Sequence, residues 1–154
     1  MPLERIDHYL LQTTDLAATR DWYVGTLGMR EGPHPDFKFP VVWLYLGDKD
    51  VLHVSEGGRN VSENRMRYLG QESQAESGSG VIDHIAFFAT GLKGMIQHLG
   101  KLGIPFTQRM VDDQGLYQLF LKDPVNGVKV ELSYANEEAV AAGIQPELTA
   151  SELQ

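Results

Sequence analysis

The sequence contains no cysteine. Disulfides, thiolate nucleophiles and cysteine-ligated zinc are therefore excluded. Positive charge is also scarce: 13 Lys and Arg stand against 21 Asp and Glu, a net charge of −8. Nucleic acid and anionic membranes both select basic surfaces, so neither is an expected partner. No apolar run approaches the ~20 residues that span a bilayer, and the basic-then-apolar layout of a secretion signal is missing at the N-terminus. A soluble cytoplasmic protein is the expectation. A chain of 154 residues supports one well-buried core, whereas two independent domains of half that size would both be marginal. Two half-size modules sharing a sheet are the predicted arrangement.

The chain states one pattern twice. Arg5-Ile6-Asp7-His8 is echoed by Val81-Ile82-Asp83-His84, with the histidines 76 residues apart. A helix-like stretch ends at Leu27-Gly28 and again at Leu102-Gly103, and a strand-like stretch ends at Leu46-Gly47-Asp48 and at Leu121-Lys122-Asp123. Each copy closes on aliphatic residues around one polar group: Val51-Leu52-His53-Val54-Ser55, then Val130-Glu131-Leu132-Ser133. The duplication sets His8 against His84 and His53 against Glu131, four metal-capable side chains at four matched places.

Local patterning supplies the elements. Ile6–Thr13 reads as a strand, followed by a helix over Leu16–Leu27 with Asp15 as N-cap and Gly28 as its stop. Phe39–Gly47 and Asp50–Glu56 read as strands. In the second copy Val81–Ala89 is a strand. Thr90 caps a helix carrying Leu92, Met95, Ile96, Leu99 and Leu102 at helical spacing. Strands then follow at Phe106–Val111, Leu116–Leu121 and Val128–Tyr134. The order is strand–helix–strand–strand–strand, twice. Module one covers about 4–56 and module two about 81–134. A Gly- and Ser-rich linker at 57–80 joins them, of the length that marks a lid or a disordered connection, and a tail at 135–154 has room for a short helix over Asn136–Ala142.

A lone histidine on an apolar strand is ordinarily a hydrogen-bonded core residue. Two at matched positions of a repeat point instead to a divalent metal, because neutral imidazole is the commonest metal ligand. An ionised Glu131 among aliphatics is costly unless paired or bound to a cation, and two histidines with one carboxylate form an open-site catalytic ligand set. His53 reads equally as a fourth ligand, an acid or base beside the metal, or a polar cavity residue. Trp43 maps onto Gln118 and Tyr45 onto Phe120, and alternation places each pair on one strand face. They are candidate substrate contacts, with a backbone-satisfied glutamine as the alternative for Gln118. His34 and His98 read as surface residues. Arg59, Arg65 and Arg67 read as a solvated loop with the capacity to meet an anion.

The segments Ile6-Asp7-His8, Asp21-Trp22-Tyr23 through Leu27-Gly28-Met29, Val81-Ile82-Asp83-His84-Ile85-Ala86-Phe87, Phe120-Leu121-Lys122-Asp123-Pro124, Asn126-Gly127 and Val130-Glu131-Leu132 together resemble the vicinal oxygen chelate superfamily. That group includes glyoxalases, methylmalonyl-CoA epimerase, fosfomycin- and bleomycin-resistance proteins and extradiol dioxygenases. The resemblance implies an α+β fold in which two βαβββ modules form an eight-stranded half-open barrel around a divalent ion (Fe, Mn, Ni, Co, Zn or Mg). It carries ligands onto His8, His84 and Glu131. His53 stands where glyoxalases keep a metal-binding glutamate, and the strand containing Gln118 lacks the histidine of ring-cleaving dioxygenases. The expected function is glyoxalase-like lyase or isomerase chemistry on a small oxygenated metabolite through a metal-chelated enolate, with Glu131 or His53 moving the proton. The alternatives are an extradiol-type dioxygenase using Fe(II) or Mn(II) and a non-catalytic binding or resistance protein. A homodimer is the implied assembly.

Overall fold

The computed structural model describes residues 5–6, 8–57, 61–69, 76–80 and 82–152, without the side chains of 67–69. The chain forms two compact units, residues 1–77 and 78–154.

Unit one holds β1 (Tyr9–Thr13), α1 (Leu16–Leu27), β2 (Arg30–Gly32), β3 (Val41–Leu46), β4 (Lys49–Glu56) and α2 (Glu63–Leu69). Its sheet runs β1-β4-β3-β2, with β1 parallel to β4 and the remaining pairs antiparallel. Helix α1 starts where Asp15 accepts a hydrogen bond from the Ala18 amide at 2.9 Å. It stops at Gly28, whose φ of 73° is a conformation that favours glycine. Thr19, Tyr23 and Thr26 recur at helical spacing and are buried. The helix lies against β3 and β4, where Val42, Leu44, Leu52 and Val54 are buried by the period-two alternation of strands. Buried Thr13 and Thr19 join their hydroxyls at 2.9 Å, which satisfies two polar groups inside this layer.

Unit two holds β5 (Ile85–Phe88), α3 (Leu92–Leu102), β6 (Phe106–Val111), β7 (Leu116–Lys122), β8 (Lys129–Ala135), α4 (Asn136–Ala142) and β9 (Leu148–Thr149). Its sheet runs β5-β8-β7-β6-β9. Tyr117, Leu119, Leu121, Val130, Leu132 and Tyr134 form the buried face. Helix α4 packs on β7 and β8 and against α3, whose Leu92 and Leu99 are fully buried. In sequence order the two units repeat strand–helix–strand–strand–strand, the α+β architecture expected from the repeat.

Several boundaries differ from the sequence reading. Among the described residues the strands divide into one sheet of four and one of five rather than sharing one. The first β-ladders begin at Tyr9 and Ile85, so His8 and His84 stand just ahead of their strands. Among the described residues β1 and β5 have a strand partner on one side only, and with a single neighbour the ladder begins where that neighbour's hydrogen bonds do. Thr90 does not cap α3. Gly91 holds the N-cap position with no side-chain cap of its own, and Glu138 of α4 accepts from the Gly91 and Leu92 amides at 2.8 and 2.7 Å. A carboxylate from a second helix thus supplies the negative charge favoured at a helix start. Leu102, the last residue of the expected apolar stripe, is half exposed. Within the linker, Glu63–Leu69 is helical. Arg59 lies outside the described residues, as does the Arg67 side chain. Arg65 is not part of a solvated loop: it is buried and its guanidinium donates to Gln12 Oε1 at 3.1 Å.

Candidate functional site

In unit two, strand alternation and register place Glu131, Gln118 and Phe120 on the face opposite the buried aliphatics, since Gln118 pairs with Ser133 and Phe120 with Glu131. Glu131 is 8% exposed. Its Oε1 accepts from Gln118 Nε2 and from Ser133 Oγ, both at 2.7 Å. Its Oε2 lies 3.0 Å from His84 Nε2. The other ring nitrogen, His84 Nδ1, is 2.8 Å from Asp83 Oδ2, an oxygen that also receives Lys129 Nζ at 2.6 Å. These two donors, His84 foremost, hold the Asp83 carboxyl below its usual range. A hydrogen bond from Nδ1 to a carboxylate selects the tautomer whose Nε2 is a lone pair.

His84 Nε2 and Glu131 Oε2 stand 3.0 Å apart, a spacing that a proton shared between them or a cation held by both satisfies. Imidazole nitrogen and carboxylate oxygen are both donors to divalent metals, so the chemistry of the pair suits such an ion. The rest of this unit's face carries cations. Lys122 and Lys129 line a cavity of about 530 Å³ together with Asp83, Thr107 and Phe120, and the Arg109 guanidinium stacks 4.0 Å above the Phe120 ring.

In unit one, Trp43, His53 and His8 form a column of rings. His53 stacks on Trp43 at 3.8 Å with 2° between planes, and on His8 at 3.8 Å with 22°. β3 and β4 bring this about, because Trp43 pairs with His53 across the ladder. His53 Nε2 bonds Asp50 Oδ2 at 2.7 Å. The hydrogen bonds from His53 and Lys49 bring the Asp50 carboxyl down to about 2. Burial pushes the His53 imidazole below its usual range, against the raising influence of Asp50. The desolvated ring is best described as neutral, donating from Nε2 and keeping Nδ1 as its acceptor. Tyr45 shares the Trp43 face, but its hydroxyl donates to the Pro33 carbonyl at 2.5 Å and its ring lies under Arg30. A cavity of about 310 Å³ opens among His8, Leu10, Phe37, Phe39, Trp43 and His53.

The structure thus gathers the predicted residues as two groups: His8, His53 and Trp43 in one unit, His84, Glu131, Gln118 and Phe120 in the other. No cluster of three or more His, Asp or Glu with metal-binding geometry occurs among the described residues. Sequence reasoning passed over Asp50, Asp83, Ser133, Phe37 and Phe39. Asp83 had a signal, since an aspartate precedes the histidine in both copies; its counterpart Asp7 lies outside the described residues. Phe37 and Phe39 sit in a loop with no periodicity to read. His34 is exposed as expected, and His98 is half-buried.

No curated protein matches the sequence. Among solved structures, lactoylglutathione lyase from Agrobacterium tumefaciens superposes with a TM-score of 0.63 at 19% identity, covering 89% of this chain and 98% of that one. A genomically encoded fosfomycin resistance protein from Listeria monocytogenes gives 0.61 at 14% identity, with coverage of 89% and 98%. A glyoxalase/bleomycin resistance protein/dioxygenase from Nocardioides gives 0.64 at 18% identity, with coverage of 89% and 87%. At these identities the likeness concerns the fold. The sequence itself matches the family described as the glyoxalase/bleomycin resistance protein/dioxygenase superfamily over residues 5–132. With most of its length in that match and the duplicated strand–helix–three-strand unit present in its structure, the chain belongs to this superfamily.

Proposed function

We propose that the protein is a divalent-metal-dependent lyase or isomerase acting on a small oxygenated metabolite, with His84 and Glu131 as metal ligands. The observation that carries this reading is the 3.0 Å approach of His84 Nε2 to Glu131 Oε2, each side chain fixed from behind by its own hydrogen bonds. Such backing is what ligating histidines and carboxylates have in metal proteins. His8 and His53, in the first unit, are tested separately, by the metal stoichiometry of His8→Ala and His53→Ala.

A divalent ion held there supplies Lewis acidity toward two adjacent substrate oxygens as charge develops on them. The protein's own part is acid–base chemistry and orientation. Gln118 and Ser133 fix Oε1 of Glu131, leaving Oε2 to face the ligand. In the first unit, the Nε2 bond to Asp50 leaves Nδ1 of His53 as the ring atom that accepts a proton. Terminal strands β1 and β5, bearing exposed Leu10 and Phe88, support a homodimer as part of the proposal.

The test is deuterium incorporation. Protein loaded with Ni, Co, Zn or Mg is incubated without oxygen in D₂O with a panel of small α-hydroxy carbonyl compounds. Metal-dependent exchange at the carbon next to the carbonyl, abolished in Glu131→Gln, is the expected result. Chemistry that needs oxygen together with Fe(II) or Mn(II) would replace the lyase reading by the dioxygenase one.

A further inference from the structure

The first unit's cavity has a composition the metal reading does not account for. Phe37 and Phe39 come from the loop between β2 and β3, and they meet Trp43 from β3. Phe37 lies 6.0 Å from Trp43, and Phe39 lies 5.5 Å from Phe37 at 30° between planes. His8 and His53 line the same space with Leu10 and Val41. Ser55 Oγ, also in the wall, already bonds the Glu56 carbonyl, and His53 Nε2 bonds Asp50, so the wall offers an occupant mainly apolar and aromatic surface.

The loop is held in place. The Tyr45 hydroxyl donates to the Pro33 carbonyl, and Asn64 Nδ2 donates to the Lys38 carbonyl at 2.9 Å. Lys38, between the two phenylalanines, has φ of 60°, a left-handed conformation that a residue with a side chain adopts rarely. Such a conformation persists when its surroundings impose it, and it is found disproportionately at ligand clamps.

We propose that this cavity is a ring pocket, whose ligand carries a flat aromatic ring placed among Phe37, Phe39 and Trp43. The pocket stands on the first unit's own residues, independently of the metal reading. Two observations select a flat ring over an alkyl chain. The walls are π systems, which favour ring–ring geometries at 4.5–7 Å between centroids, and the spacings above show that they already pack in this way. The volume of about 310 Å³ is at the small end of ligand sites, while an apolar cavity of about 150 Å³ holds benzene. One ring with a short oxygenated arm fits; a long acyl or peptidyl group does not.

The experiment uses the two tryptophans of the chain. Trp22 Nε1 is buried with no hydrogen-bond partner, so Trp22→Phe removes an unsatisfied donor and leaves Trp43 as the sole reporter. Mandelate and hexahydromandelate share the same pair of adjacent oxygens and differ in ring flatness. Quenching of Trp43 fluorescence by each is titrated in EDTA. Mandelate is expected to bind about tenfold more tightly, equivalent to ~1.4 kcal/mol, and Phe37→Leu and Phe39→Leu are each expected to reduce that preference while leaving the circular dichroism unchanged. Equal affinities, absence of binding by both compounds, or a preference that survives both substitutions would overturn the pocket. The titration needs no metal, so a ring preference without metal binding would remove the proposed function and leave the pocket. Metal-dependent exchange without ring preference would do the reverse.

Discussion

Replacing Gln118 with leucine tests whether Glu131 is a ligand or only a buried carboxylate. Gln118 supplies one of two donors to Glu131 Oε1, at 2.7 Å, and the carboxylate is 8% exposed. Bulk water cannot replace the lost donor without local rearrangement, and a hydrogen bond to a charged group contributes about 1.5–3 kcal/mol. Leucine keeps most of the volume. The melting temperature should fall by about 3–12 °C at a conversion near 2–4 °C per kcal/mol. Loss of a partner that orients a ligand weakens metal binding about 10–100-fold, and competition with a chromophoric chelator for Zn or Co would measure that loss. Ser133→Ala removes the other donor to the same oxygen. The double variant should therefore depart from additivity by about 0.5–3 kcal/mol. A Gln118→Leu protein with lowered stability and unchanged metal affinity would refute the reasoning, because Glu131 would then be fixed for folding alone.

Glu138→Ala should cost about 0.5–2 kcal/mol, the range for loss of a helix cap, read from urea unfolding, since it strips the acceptor from the Gly91 and Leu92 amides. Gly32→Ala should weaken mandelate binding measurably with only a modest change in melting temperature. A Cβ there would lie 2.6 Å from the Tyr45 ring, and the shifted Tyr45 would release Pro33 and the aromatic loop; unchanged binding would argue against that linkage. Burial pushes the Tyr134 hydroxyl up to about 12. An unfolded tyrosine releases its proton near ~10 while the folded one holds it, so stability should be unaffected below pH 10 and fall between about 10 and 12, by up to ~1.4 kcal/mol per unit. Absorbance titration at high pH should show this group ionising late, or together with unfolding.

How far the sequence could be read depended on repetition. The paired Asp-His motifs and the matched aliphatic strands located both copies of the unit. Helix α1 came out at its observed bounds because Asp15 and Gly28 are local signals that tertiary packing does not override. β2 was missed: three residues, Arg30–Gly32, show no alternation strong enough to detect. The cap of α3 was misread because its acceptor, Glu138, is 46 and 47 residues away from the amides it serves. Separations of 26 and 53 residues likewise hid Asn64 from Lys38 and Arg65 from Gln12. At the site, the sharing of one strand face by Trp43 and Tyr45, and by Gln118 and Phe120, followed from the period of two. The bond from Asp50 to His53 did not, since the bulge between Leu44 and Tyr45 shifts the register just where Asp50 lies.

The central claim is a metal held through His84 and Glu131. Its most direct test is the metal content of native protein purified without chelators, measured beside that of His84→Ala. The account predicts about one equivalent of divalent metal per chain in the native protein and its loss from a folded His84→Ala variant. Native protein that takes up no metal even on reconstitution, or a variant that keeps its metal, would contradict it.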